Sequence, residues 1–428
     1  MFKKRLFAGF ACAAAALVAL AGCGGNKSPE DTMTENLIKN FWQSDTMYDE
    51  TVILVAPMDE AGNITALPQG RLLFAADEIV SVKQYFHADH AGEKSFTEGA
   101  DYTYADGVIT AVGTIEEDLD GKKTSVATTM PYITERQYLG KDLFPGCATT
   151  ATGIPSSDGA WEIPYTEGYQ IVQLQLSVTY KHSGAWQNNT PVYQGESLPH
   201  ALAKLQKKQD TEILIFGDSI STGSNSSSVL KIHPNLPAWY DLMKTGLEKA
   251  YGAKVHLTNK SMGGWTTREA VSENPNSGWV GGQLVSQVGL PALFKGELSA
   301  YSPDLAIIGF GMNDATLDVG LNNYAANIRK LIDAIRARNA GCDIILLGTM
   351  LANPQAKNQY KNQTEYSALN LKIAALYENV VCVDVGAMHQ NLLDNGKKYM
   401  DMTGNNVNHP NDFMARIYCM NLLATMVK

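Results

Sequence analysis

Basic side chains are in short supply. The 428 residues carry 34 Lys and Arg against 44 Asp and Glu, a formal net charge of −10. Three of the basic residues, Lys3, Lys4 and Arg5, sit in a leader-like N-terminus, and without them 31 basic side chains face 44 acidic ones. Such a chain repels phosphate backbones, so nucleic acid is not an expected partner. Cysteine is sparse as well, with six residues and no metal-like or knottin-like spacing. No metal and no cofactor are expected. Cys342 and Cys382 adjoin or lie in apolar strand-like runs, where cysteine acts as a small buried hydrophobe. Cys147 and Cys419 offer no readable pairing. Low-complexity sequence is missing too, and 45% hydrophobic with 18% charged residues is ordinary globular composition. The length predicts two domains, each able to bury a core.

One long apolar run is present, Leu6 to Leu20, behind Lys3-Lys4-Arg5 and ahead of small residues and Cys23. It is too short to span a bilayer comfortably and reads as an export signal over residues 1–22. Leu20-Ala21-Gly22-Cys23 resembles the lipobox of bacterial lipoproteins. The resemblance implies a lipidated Cys23 and anchoring at the extracytoplasmic face of a membrane; a plain secretory signal cut nearby is the alternative. Acyl chains contribute roughly 0.8 kcal/mol per buried methylene, so more than one chain on Cys23 would hold the protein there. Residues 23–44, beginning Gly24-Gly25-Asn26-Lys27-Ser28-Pro29 after the cysteine, read as a tether.

Residues 45–197 are strand-like. Thr51–Val55, Gly107–Val112 and Gln170–Tyr180 alternate or cluster apolar residues, with Asp106-Gly107, Asp120-Gly121 and Asp158-Gly159 as turns. An all-β sandwich or jelly roll is expected there. Residues 198–210 read as a short amphipathic linker helix. From residue 211 to 428 the pattern alternates. Strands are expected at Glu212–Phe216, Lys254–Thr258, Leu305–Phe310, Asp343–Leu347 and Val380–Val385. Helices are expected at Ala238–Ala250, Asn322–Arg338, Thr364–Tyr377 and Phe413–Val427. Five apolar strands mostly separated by helices predict a doubly wound parallel sheet, with function beyond the carboxyl ends of its strands.

Chemistry-bearing residues fall at those ends. The first strand runs into Gly217-Asp218-Ser219, where a serine after a strand can present its hydroxyl at the sheet edge. The second runs into Ser261-Met262-Gly263-Gly264-Trp265, the third into Gly311-Met312-Asn313-Asp314, and Asn408-His409-Pro410 precedes the last helix. Each stretch alone is commonplace; their order along the strands is not.

Together the four stretches resemble the signature blocks of the SGNH/GDSL hydrolase superfamily over about Glu212 to Lys428. The resemblance implies a three-layer α/β/α sandwich with a five-stranded parallel, flavodoxin-like sheet. It implies Ser219 as nucleophile, His409 as base, and an oxyanion hole from Ser219, Gly264 and Asn313, with Gly263 as the fallback glycine. The β region before it more loosely resembles the two-domain plan of carbohydrate esterases. The residue chemistry agrees, because a serine hydroxyl needs a neighbouring base and a near-neutral imidazole suits that task. The family usually carries Asp three residues before the histidine, and here Asn406 stands at that position. Three readings stay open: Asn406 or a backbone carbonyl orients His409, Asp401 or Asp384 swings in, or the site is degenerate.

Other motifs carry less. His87-Ala88-Asp89-His90 has metal-like residue types but no further ligand spacing, and reads as a solvated loop. Trp265 and Trp279 are either a sugar-stacking wall or core. Asp218 and Asp314 are expected to scaffold. The function expected is a serine esterase removing O-acyl groups, acetyl above all, from surface or extracellular carbohydrate. A lipid-type esterase, lysophospholipase or thioesterase on the same residues is one alternative, and a non-catalytic glycan-binding lipoprotein is the other.

Overall fold

A computed structural model describes residues 35–89, 92–142, 154–359 and 361–428. The leader, Cys23, most of the tether, His90 and Cys147 lie outside the described residues.

Five parallel strands form the centre: β1 (Thr211–Gly217), β2 (Val255–Asn259), β3 (Leu305–Gly309), β4 (Asp343–Leu347) and β5 (Val380–Val383). Their order is β2-β1-β3-β4-β5, every pairing parallel. Strands buried on both faces are written as continuous apolar runs, and the two faces then divide by alternation. Ile213, Ile215, Ile345, Leu347, Val381 and Val383 belong to one core cluster. Leu214, Phe216, Ile344, Leu346, Val380 and Cys382 belong to another.

The helices sort accordingly. On the first face lie α1 (Trp239–Tyr251), α4 (Val385–Asp394) and α5 (Asp412–Met426). On the second lie α2 (Leu321–Arg338) and α3 (Gln363–Ala374). In α2 the buried Tyr324, Ile328, Leu331, Ile332 and Ile335 make one stripe, the 3.6-residue period read from the sequence. The expected three-layer α/β/α sandwich is the fold. The last expected strand stops short, at Val383: Asp384 instead caps α4, its carboxylate accepting the Ala387 N–H at 3.1 Å, and Val385 is the first helical residue.

The β region has a four-stranded antiparallel sheet, Thr46–Ile53, Gln175–Lys181, Glu78–Gln84 and Lys94–Phe96 in spatial order. A five-stranded sheet contains the hairpin Tyr102–Ala105/Val108–Ala111. Asp106 and Gly107 close that hairpin at φ 50° and 80°, the left-handed pair that a two-residue type I′ turn requires. The Gln170–Tyr180 run is extended only from Gln175, because Val172–Leu174 coil into a 3₁₀ turn.

Among the described residues no break in the core separates this region from the α/β half. Met47, Val52, Val178 and Tyr180 share one apolar cluster with Ala201, Leu202 and Leu205 of the helix Pro199–Gln206, and with Trp239, Phe413 and Ile417. Helix α5 is consequently buried all round. Its Arg416 guanidinium donates to the backbone carbonyls of Tyr48 and Asp49 in the β region.

Candidate active site

β1 delivers Ser219. A Cβ on Gly217 would meet the Gly309 carbonyl oxygen and Ser221 Oγ at 2.3 Å each, so only glycine lets the chain leave the sheet here. The turn is then pinned by the Thr222 and Ser224 N–H groups, which donate to the Ser219 carbonyl. Asp218 is buried beneath it and accepts the Ile220 N–H at 3.0 Å. Desolvation pushes Asp218 up to about 7, with the backbone bond opposing. Asp314 accepts both the N–H (2.9 Å) and the hydroxyl (2.6 Å) of Thr267, and burial lifts it to about 6. Both aspartates scaffold the strand ends.

His409 sits in a loop wound around Asn405. The Asn405 side-chain oxygen accepts the N–H groups of Val407, Asn408 and His409, each at 3.0 Å. Thr403 Oγ1 donates to the His409 carbonyl at 2.8 Å, and Asn411 caps α5 immediately after. The ring is thereby held with Nε2 2.8 Å from Ser219 Oγ. Its Nδ1 faces two acceptors, Asn225 Oδ1 at 2.7 Å and Glu167 Oε2 at 3.0 Å.

The other ends of the sheet contribute donors. Gly263 bridges to Trp279, its N–H donating to the Trp279 carbonyl at 2.8 Å, so the fallback glycine is already engaged. Gly264 turns at φ 83°, and neither its N–H nor that of Ser219 meets a protein acceptor among the described residues. Asn313 donates one amide hydrogen to the Trp265 carbonyl at 2.9 Å, which fixes the amide, and its second hydrogen meets no acceptor among the described residues.

Among the readings the sequence left open, the structure excludes four. Asn406 does not reach the His409 ring: at φ 65°, its Nδ2 donates to the Pro164 carbonyl at 2.9 Å and its Oδ1 accepts Asn353 Nδ2 at 3.0 Å. Asp401 accepts the Ile53 N–H at 2.8 Å and the Lys398 N–H at 3.0 Å, while Asp384 caps α4; neither serves the histidine. Trp265 is core, its indole N–H bound to the Ser277 carbonyl at 2.9 Å, and only Trp279 stays outside, 54% exposed.

Two residues on the histidine were not found by sequence reasoning. Glu167 lies 242 residues from His409 in the β region, and no local pattern marks it. Asn225 lies close by in sequence, in the serine-rich stretch after Ser219, and takes a left-handed conformation (φ 63°) that asparagine tolerates.

A strand-end serine, a histidine on its hydroxyl and uncommitted N–H donors, set on a parallel α/β/α sheet, define a serine hydrolase domain. Residues 215–417 match the profile of the GDSL-like Lipase/Acylhydrolase family, so the C-terminal half is a hydrolase domain of that kind. Among solved structures, the chain is similar to a two-domain esterase active on acetylated mannans, at 17% identity and a TM-score of 0.39. That match covers 54% of this chain and 53% of the esterase, about half of its length. It is also similar to Axe2, an acetylxylan esterase from Geobacillus stearothermophilus, at 19% identity and a TM-score of 0.38, over 51% of this chain and 96% of that one. No curated protein shows significant sequence similarity to the chain.

Proposed function

We propose that the protein is an esterase that removes small O-acyl groups, acetyl above all, from carbohydrate outside the cell. The observation that carries the reading is the 2.8 Å contact of Ser219 Oγ with His409 Nε2, beside two N–H groups and one amide hydrogen without an acceptor among the described residues. In this mechanism His409 Nε2 takes the Ser219 proton as Oγ bonds to the ester carbonyl carbon. The oxyanion is met by the N–H groups of Ser219 and Gly264 and by Asn313 Nδ2. Collapse breaks the bond to the alcohol oxygen, which leaves with the proton from His409. Water repeats the cycle, regenerating Ser219 and releasing the carboxylic acid.

The sugar preference is supported by what stands next to the nucleophile. Trp279 pairs across the hairpin Asn276–Val280/Gln283–Gln287 with Leu284, and both are exposed. A Cβ on Gly263 would lie 3.1 Å from Trp279 Cβ and 3.5 Å from Ser219 Cβ, so the Trp279 side chain springs from the backbone beside that of Ser219. An aromatic face with a polar edge suits the apolar face of a sugar ring. The export signal and lipobox-like Leu20–Cys23 of the sequence support an extracytoplasmic, lipid-anchored setting.

Acetate release from a panel of acetylated oligosaccharides, run against octanoyl and palmitoyl esters, tests the substrate class. Trp279→Ala is expected to raise KM about tenfold on the saccharides with kcat changed less than threefold, since stacking is uniform binding worth roughly 1–1.5 kcal/mol. Faster turnover of the long acyl esters would overturn the sugar reading in favour of a lipid-type esterase. Asn313→Ala is expected to lower kcat by roughly 10²-fold with a smaller change in KM, because its bond strengthens as charge develops. A mutant altered mainly in KM would make Asn313 a ground-state contact.

A further inference from the structure

The residue that normally shares a loop with the histidine is missing from that loop, yet the ring is not left alone. Residues 154–168, a strap from the β region, lie across the catalytic loops. The Ser157 N–H donates to the Gln355 carbonyl and the Lys357 N–H to the Pro155 carbonyl, both at 2.8 Å. Ile163 is buried against Ala356 and Val407. Asn406, at the position expected to hold an acid, ties down the strap through the Pro164 carbonyl. Three residues beyond that tether, Glu167 places Oε2 on His409 Nδ1. Its other oxygen accepts the Tyr165 hydroxyl at 2.5 Å and Asn405 Nδ2 at 3.1 Å.

We infer that Glu167, delivered across the structure by this strap, is the positioning residue of His409, and that Asn406 has exchanged the acid's role for docking the strap. The inference rests on the serine-esterase reading above. Nδ1 of a histidine acting as base carries one hydrogen, and two acceptors compete for it. Asn225 offers a neutral amide oxygen, its Nδ2 buried with no partner among the described residues. It fixes the ring but does not balance charge. When His409 takes the serine proton, the imidazolium needs a counter-charge, and a carboxylate supplies it. Among the described residues, the titratable groups facing the ring are Glu167 from the strap and Asp218 from the end of β1, and burial disfavours the charge on Asp218. Burial opposes ionisation of Glu167, but the charge and hydrogen bond of His409, with those from Tyr165 and Asn405, hold it down at about 2. It therefore stays ionised throughout any ordinary assay.

The test is the profile of kcat/KM against pH for 4-nitrophenyl acetate, with wild type, Glu167→Gln, Glu167→Asp and Ser219→Ala. Glu167→Gln is expected to lose about 10²–10³-fold in kcat with KM within threefold. Its acidic limb should move down by about one pH unit, because the imidazolium loses its counter-charge. Glu167→Asp should recover part of the rate and return the limb toward wild type. The Glu167 side chain is 49% exposed, so the melting temperature should barely change. A low-field Nδ1 proton resonance, present in the wild type and weakened in Glu167→Gln, gives an independent reading. Full activity in Glu167→Gln beside a dead Ser219→Ala would overturn the inference and leave the esterase reading standing. A loss carried by KM, or one without a shifted limb, overturns it too. A wild type that neither turns over the ester nor reacts with a fluorophosphonate would remove both.

Discussion

Ser219→Ala is expected to lower kcat for ester hydrolysis by on the order of 10⁵–10⁶-fold and to abolish labelling by a fluorophosphonate probe. In the proposed mechanism the substitution deletes the atom that bonds to the acyl carbon while the oxyanion donors stay, so the residual rate is what those donors and binding supply. Little else should change. The Ser219 hydroxyl contacts His409 Nε2, and the surrounding turn is held through the Ser219 carbonyl and the Asp218 side chain, neither of which the mutation touches. The melting temperature of the mutant should therefore stay within a few degrees of the wild type. Steady-state assay of carefully purified Ser219→Ala decides the matter. Retention of more than about one part in a thousand of the activity would mean that another group attacks the ester.

What the sequence displays and what it hides follow from the range of the interactions. Strands such as Asp343–Leu347 are legible because both faces are buried, which writes a nearly unbroken apolar run. Ser219, Gly264, Asn313 and His409 are legible because each follows or precedes an element whose end is written locally. Glu167 is not. A carboxylate on a strap docked by Asn406, Ile163 and backbone bonds has no periodicity of its own, and its target lies 242 residues away. The Trp279 hairpin falls between these cases. Asn276–Gln287 turns at Gly281-Gly282, both with positive φ, and a glycine pair between two short runs is a local signal. Whether its tryptophan or Trp265 faces solvent is not written locally, since only tertiary packing places the Trp265 indole over Gly278. The domain boundary at residues 198–210 rests on a change of pattern, but a pattern change does not interrupt a core. The β region closes over α5 and supplies the strap, so its burial and the geometry of His409 are linked.

That linkage has a structural counterpart in Lys397, whose removal carries the largest expected effect on stability. Its ammonium is buried against Glu50 Oε1 at 2.7 Å, the Thr51 carbonyl at 2.6 Å and Asp401 Oδ2 at 3.4 Å, with all three ionic side chains at most 3% exposed. Glu50 is committed elsewhere as well, accepting the Leu73 N–H at 2.9 Å and the Tyr180 hydroxyl at 2.5 Å. The network joins the first strand of the β region to the segment just ahead of the histidine loop. Desolvation disfavours the buried ammonium, but Asp401 and Glu50 outweigh it and raise the Lys397 pKa above its ordinary value. Lys397→Met fills a similar volume yet leaves Glu50 and Asp401 buried without their cation. Breaking one partner of such a group costs about 3–5 kcal/mol, whereas removing the charges together costs far less. Urea denaturation at neutral pH should show that loss in Lys397→Met and a partial recovery in Lys397→Met/Glu50→Gln. The sign with pH follows from the raised lysine pKa: the contribution is fully present below about 10.5, the ordinary lysine value, and fades as pH rises through the higher folded-state value. The gap between wild type and mutant should thus hold from neutrality to about pH 10 and narrow above it. A Lys397→Met protein within about 1 kcal/mol of wild type would show that water or rearrangement already compensates the two carboxylates.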